Sequence, residues 1–176
     1  MESGLETIPR TAFGEGVNLC MANGERLLSS AAQALQEKDF TCAFIKGFAA
    51  LEEFGKALLI LEGWSKDSVG KNVWDRGFKS HPTKMRMARY LVDIPLLKEH
   101  GLIQDDSEGR WADKDYVESA CAMRTDCLYV DFDFKEKRWK SPLEVSDKLE
   151  DWAGEIIKLG ELSMKAVSAE KRRMGT

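Results

Sequence analysis

The sequence predicts an all-α bundle with one short extended segment near residues 129–134. Three observations carry that reading. Apolar and small residues recur at helical spacing over most of the chain. Only four prolines interrupt 176 residues. A period of two, the mark of an extended strand, occurs at one place alone.

The elements follow in order. The first helix is predicted from about Thr11 to Glu37, with Val17, Cys20, Met21, Gly24, Leu27, Leu28, Ala31 and Leu35 at helical spacing. Asp39 is a suitable cap for a second helix from about Phe40 to Trp64. A connection rich in Gly, Ser and Lys follows, with a short helix predicted near Val69–Phe78. A third helix is expected to begin at Pro82, because proline fits the first helical turn, and to run to about Asp93. Pro95 then stops it. Residues 100–112 read as a loop, and Asp113 caps a fourth helix reaching Leu128. Leu128, Val130, Phe132 and Phe134 then alternate with Tyr129, Asp131 and Asp133, which predicts the extended piece. Ser141-Pro142-Leu143-Glu144 has the form of a helix start. The last helix carries Leu149, Trp152, Ala153, Ile156, Leu159, Ser163 and Val167 on one face, and Glu170–Thr176 reads as a charged tail. The expected organisation is one domain over 1–176, with its core at about 11–170.

Hydrophobic residues make up 43% of the chain and charged residues 32%, enough apolar surface for a sizeable core. No apolar run approaches the ~18 residues needed to span a bilayer, and residues 1–10 lack the pattern of a secretory signal. No membrane association and a cytoplasmic location are therefore expected. The four cysteines, Cys20, Cys42, Cys121 and Cys127, form no C-x-x-C pair and sit in apolar helical contexts. They read as reduced core thiols. With two histidines in the chain, no zinc site is expected, nor any other metal or cofactor.

The net charge is −4, which argues against global attraction to nucleic acid. The charge is nevertheless uneven. Between Lys66 and Tyr90 lie Lys66, Lys71, Arg76, Lys79, Lys84, Arg86 and Arg89 against Asp67 and Asp75. That window is +5, and the rest of the chain is −9.

Chemistry is concentrated in three places. The second helix is apolar nearly all round, as a central buried helix is, yet it carries Glu52, Glu53 and Lys56. Glu52 and Lys56 are four apart and suit an intrahelical ion pair. A buried carboxylate needs a partner to stay ionised. Arg124, in the stripe Val117, Ala120, Cys121 and Leu128 of the fourth helix, must likewise find an anion or reach solvent. A pair between Arg124 and Glu52 or Glu53 is expected. Third, Arg76 and His81 have an R-x4-H spacing, and Pro82 after His81 places that histidine at a helix start, where a phosphate is favoured. Arg76 and Lys84 would add charge-assisted contacts, with Lys79 and Arg86 in the same basic stretch. His81 can exchange a proton near neutral pH, as an acid–base group for a ribose 2′-OH or a leaving 5′-oxygen must. Cost also predicts that His81 lies within reach of Glu52, Glu53 or Lys56. The bland alternative is a solvated basic loop with an ordinary capping histidine.

These pieces together resemble a known family. Phe48-Ala49-Ala50-Leu51-Glu52-Glu53-Phe54-Gly55-Lys56-Ala57 is similar to the A-x-E-E-x-G-K-A helix of AbiV-type abortive infection proteins. Ser80-His81-Pro82-Thr83-Lys84 resembles their S-H-x-x-K. Arg124-x4-Tyr129-Val130-Asp131, with Pro142 beyond, resembles their R-x4-Y-V-D…P. Order and distances agree over roughly residues 15–165. The resemblance implies a HEPN-like helical bundle, a bacterial phage-defence role and a homodimer. Many HEPN proteins are metal-independent ribonucleases with an R-x4-6-H motif, which Arg76 and His81 match. Two functions follow as expectations. In one, the chain is an endoribonuclease acting on RNA, with His81, Arg76, Glu52 and Glu53 catalytic and Lys84, Lys79 and Arg86 binding phosphate. Lys56, Arg124, Tyr129 and Asp131 then form the supporting network. In the other it is a non-enzymatic module that binds a phage protein or a translation component. A His81 facing a solvent cleft near Arg76 or Lys84 favours the first, and a His81 buried against a backbone carbonyl favours the second.

Overall fold

The computed structural model describes residues 10–65, 79–90, 114–128, 131–133, 137–140 and 148–174. Among them α1 spans Arg10–Gln36, α2 Phe40–Ser65, α3 His81–Tyr90, α4 Lys114–Leu128 and α5 Leu149–Arg173. Two three-residue strands, β1 (Asp131–Asp133) and β2 (Arg138–Lys140), pair antiparallel between α4 and α5. The all-α reading holds, and the extended segment is the first strand of a small hairpin. Its partner strand gave no sequence signal, because Arg138-Trp139-Lys140 is too short to show alternation. The register sets Asp131 opposite Lys140 and Asp133 opposite Arg138.

The α1–α2 connection shows how local chemistry fixes the bundle. Lys38 takes a left-handed conformation (φ 61°). Its N–H donates to the Leu35 carbonyl, and the Asp39 N–H donates to that of Ala34, a two-bond helix ending. Asp39 Oδ1 then accepts from the Cys42 N–H at 3.0 Å and caps α2 as the sequence predicts. A turn this short folds α1 and α2 into an antiparallel hairpin.

α2 is the central helix. Phe44, Phe48, Leu51 and Phe54 are fully buried, and α2 packs against α1, α5, α3 and α4. Apolar residues on nearly every side of α2 are what that position requires. α5 buries Leu149, Ala153, Ile156, Leu159, Ser163 and Val167, and Trp152 sets its ring edge-on to Phe44. The buried side chains of all five helices form one apolar cluster.

Three boundaries differ from the sequence reading. α3 starts at His81, with Ser80 as its cap: Ser80 Oγ accepts from the Thr83 N–H at 3.3 Å. The described part of the last helix begins at Leu149 behind Lys148, which makes no side-chain cap bond. The Ser141-Pro142 start lies outside the described residues, as do the short helix near Val69–Phe78 and the loop at 100–112. At the other end α5 continues through Arg173, which ion-pairs with Glu170 one turn back. Most of the charged tail is therefore helical.

Candidate acid–base site

Glu52 and Glu53 are neighbours on α2, and a helix turns about 100° per residue, so the two carboxylates face different partners. Glu52 faces α3. Its Oε1 contacts His81 Nδ1 and lies 3.3 Å from Lys84 Nζ. Glu53 accepts from Lys56 at 2.6 Å and from the Cys20 thiol of α1. The expected Glu52–Lys56 pair is thus replaced by Glu53–Lys56, three residues apart rather than four.

The α3 side of the site follows from helix spacing. His81 and Lys84 are three apart, on one face of the first turn, and Ser80 begins the helix so that this face meets α2. Lys84 and Glu52 are buried, at 6% and 8% exposure. His81 is more open, with a side chain 44% exposed. The ammonium and carboxylate therefore form an inner charge pair, and the imidazole sits on its outer edge. Removal of one partner from a buried pair leaves an uncompensated charge and typically costs ~3–5 kcal/mol.

Arg124 does not join either glutamate. Its guanidinium stacks over the ring of Phe48, 5.5 Å from the centroid, so among the described residues its partner is a π face rather than a carboxylate. Phe48 is one turn before Glu52 on α2, so Arg124 occupies the neighbouring stretch of the same helix face. Its helical surroundings also shift: Cys127 is buried, and Leu128 is exposed.

Burial pushes the Cys20 thiol up to about 11, with the Glu53 carboxylate adding to the rise and the Lys56 ammonium opposing it. Burial likewise raises Cys127 to about 11, with Asp126 adding to it. The four cysteines form no disulfide with one another; Cys42 and Cys121 are only half-buried.

Lys79 is exposed just before α3. Arg86 and Asp131 lie on α3 and β1. Arg76 and Tyr129 fall outside the described residues. Among the described residues no three His, Cys, Asp or Glu side chains gather where a metal ion could be held. No described helix is long and apolar enough to cross a membrane.

Fold and site together define an all-α, HEPN-like bundle with a carboxylate–histidine pair at the crossing of two helices. A family model, AbiV of the HEPN group, matches residues 13–161. The chain belongs to the AbiV family. Neither the curated proteins nor the solved structures give a match.

Proposed function

We propose that the chain is an abortive-infection protein of bacterial phage defence that cleaves RNA without a metal ion, with His81 as its acid–base group. The observation that supports this most is the position of His81. It is half-exposed, its Nδ1 meets the Glu52 carboxylate, and among the described residues no backbone carbonyl bonds to its ring. A carboxylate on one ring nitrogen orients the imidazole and leaves the other nitrogen for a substrate. In this reading Nε2 takes the proton of a ribose 2′-OH as O2′ attacks phosphorus. The P–O5′ bond breaks, and the leaving oxygen takes a proton from water or from the imidazolium. The products are a 2′,3′-cyclic phosphate and a 5′-hydroxyl. Arg76, Lys79 and Arg86 are the proposed phosphate contacts, in a homodimer working in the cytoplasm. Lys84, buried against Glu52, supports the site from inside.

A second reading draws on the burial of Lys84 and Glu52. Here the charged cluster only locks α3 onto α2, and the protein acts by binding a phage protein or a translation component. Incubation of the purified protein with RNA in the presence of a chelator separates the two. The first reading expects chelator-resistant cleavage with cyclic phosphate ends and no cleavage of DNA. Intact RNA under all conditions leaves only the second.

A further inference from the structure

We infer that Lys84 is a positioning residue: it holds Glu52 Oε1 as a pure acceptor, so that neutral His81 carries its proton on Nδ1 and presents the lone pair of Nε2 outward. The inference rests on the reading of His81 as an acid–base group and adds the device that sets its working atom.

Lys84 Nζ and His81 Nδ1 approach the same oxygen, Glu52 Oε1. An ammonium has donors and no acceptor. As an ionised carboxylate paired with the Lys84 ammonium, Glu52 offers acceptors alone. Nδ1 must then be the donor in the Glu52–His81 bond. A neutral imidazole has one N–H, so Nε2 is left as the acceptor. Burial makes the arrangement firm: Lys84 and Glu52 are both nearly inaccessible, and an ion pair there is weakly screened by salt. The His81 side chain itself is half-exposed. In this neutral form the ring is a base that accepts a proton from a hydroxyl at Nε2.

Two features of α3 fix Lys84 where this works. Its backbone N–H donates to the Ser80 carbonyl at 3.1 Å, inside the first turn. Its carbonyl rests against Gly55 of α2, one turn beyond Glu52, with no room for a Cβ between them. The Lys84 main chain is clamped at the helix crossing, and its side chain reaches back to the carboxylate.

The test is nitrogen NMR of the full-length protein with ¹⁵N-labelled histidine, which distinguishes the two neutral tautomers. The chain has only two histidines, so comparison with His81→Gln assigns the signals. In the wild-type protein at a pH where His81 is neutral, the expected pattern is Nδ1–H with Nε2 unprotonated. Lys84→Met removes the cation paired with Oε1, and the Nδ1–H pattern is then expected to give way to a mixture. Lys84→Arg keeps a cation there and is expected to keep the pattern, which covers the case in which Lys84→Met does not fold. A wild-type Nε2–H tautomer overturns the inference. So does an unchanged Nδ1–H pattern in folded Lys84→Met, or its loss in folded Lys84→Arg. No RNA enters the measurement. If the tautomer is as stated and RNA is not cleaved, the functional reading fails and this assignment stands.

Discussion

Gly55 of α2 lies directly against the main-chain carbonyl of Lys84 on α3. Glu52 is three residues before Gly55, on the same face of α2. The missing side chain at Gly55 lets α3 approach until Lys84 and His81 reach the Glu52 carboxylate. Helix approach and site chemistry are one arrangement.

Gly55→Ala therefore tests the crossing. In an exposed helix this change would gain about 1 kcal/mol of propensity. Here the new methyl meets backbone, which cannot swing aside, and the expected net loss is about 1–3 kcal/mol. Denaturant unfolding measures it. A stabilised variant would contradict the close approach.

Glu52 and His81 should differ in what they contribute to stability. Glu52→Ala leaves the Lys84 ammonium buried and unpaired, with an expected loss of ~3–5 kcal/mol. His81→Ala removes a half-exposed ring and should cost about 1 kcal/mol or less, the range of a partly exposed pair. Equal melting temperatures for the two variants would argue against the inner pair.

Arg124 gives a smaller effect than a buried ion pair. Its stacking on Phe48 is worth about 0.5–2 kcal/mol. A double-mutant cycle of Arg124→Ala with Phe48→Leu should show coupling in that range, and a cycle of Arg124→Ala with Glu53→Gln should show none. Strong coupling to Glu53 would restore the ion pair expected from sequence.

The buried thiols make stability fall in alkali. Cys20 and Cys127 are raised from 9.0 to about 11 in the folded chain. Between those values the unfolded chain has lost thiol protons that the folded chain keeps. The unfolded state then binds fewer protons, and stability decreases as pH rises. The loss begins near pH 9 and, at ~1.4 kcal/mol per unit, reaches at most about 2–3 kcal/mol per thiol by pH 11. Cys20→Ala should flatten the slope over that window. A slope unaffected by the substitution would count against the burial argument.

Much of this was legible in the sequence. Helical spacing placed the helices, Asp39 announced the α1–α2 turn, and the cost of charge on the apolar α2 pointed its Glu52, Glu53 and Lys56 group toward His81. The rest had no signal in the chain. Whether Glu52 or Glu53 faces α3 depends on the rotation of α2 in the bundle, which spacing alone leaves open. A cation–π partner such as Phe48 looks like any other core aromatic. The role of Gly55 appears only when the helix that touches it is in place. Pro82 put the expected cap at His81, and the N–H of Thr83 shows it one residue earlier, at Ser80.

The most direct test of the account is RNA cleavage by the wild-type protein and by His81→Ala at matched concentration, with melting temperatures taken on the same samples. The account predicts that the wild-type protein cleaves and that His81→Ala is slower by ~10²–10⁴-fold, the usual contribution of general acid–base catalysis, while its melting temperature stays within a few degrees. Cleavage by folded His81→Ala at the wild-type rate would contradict it.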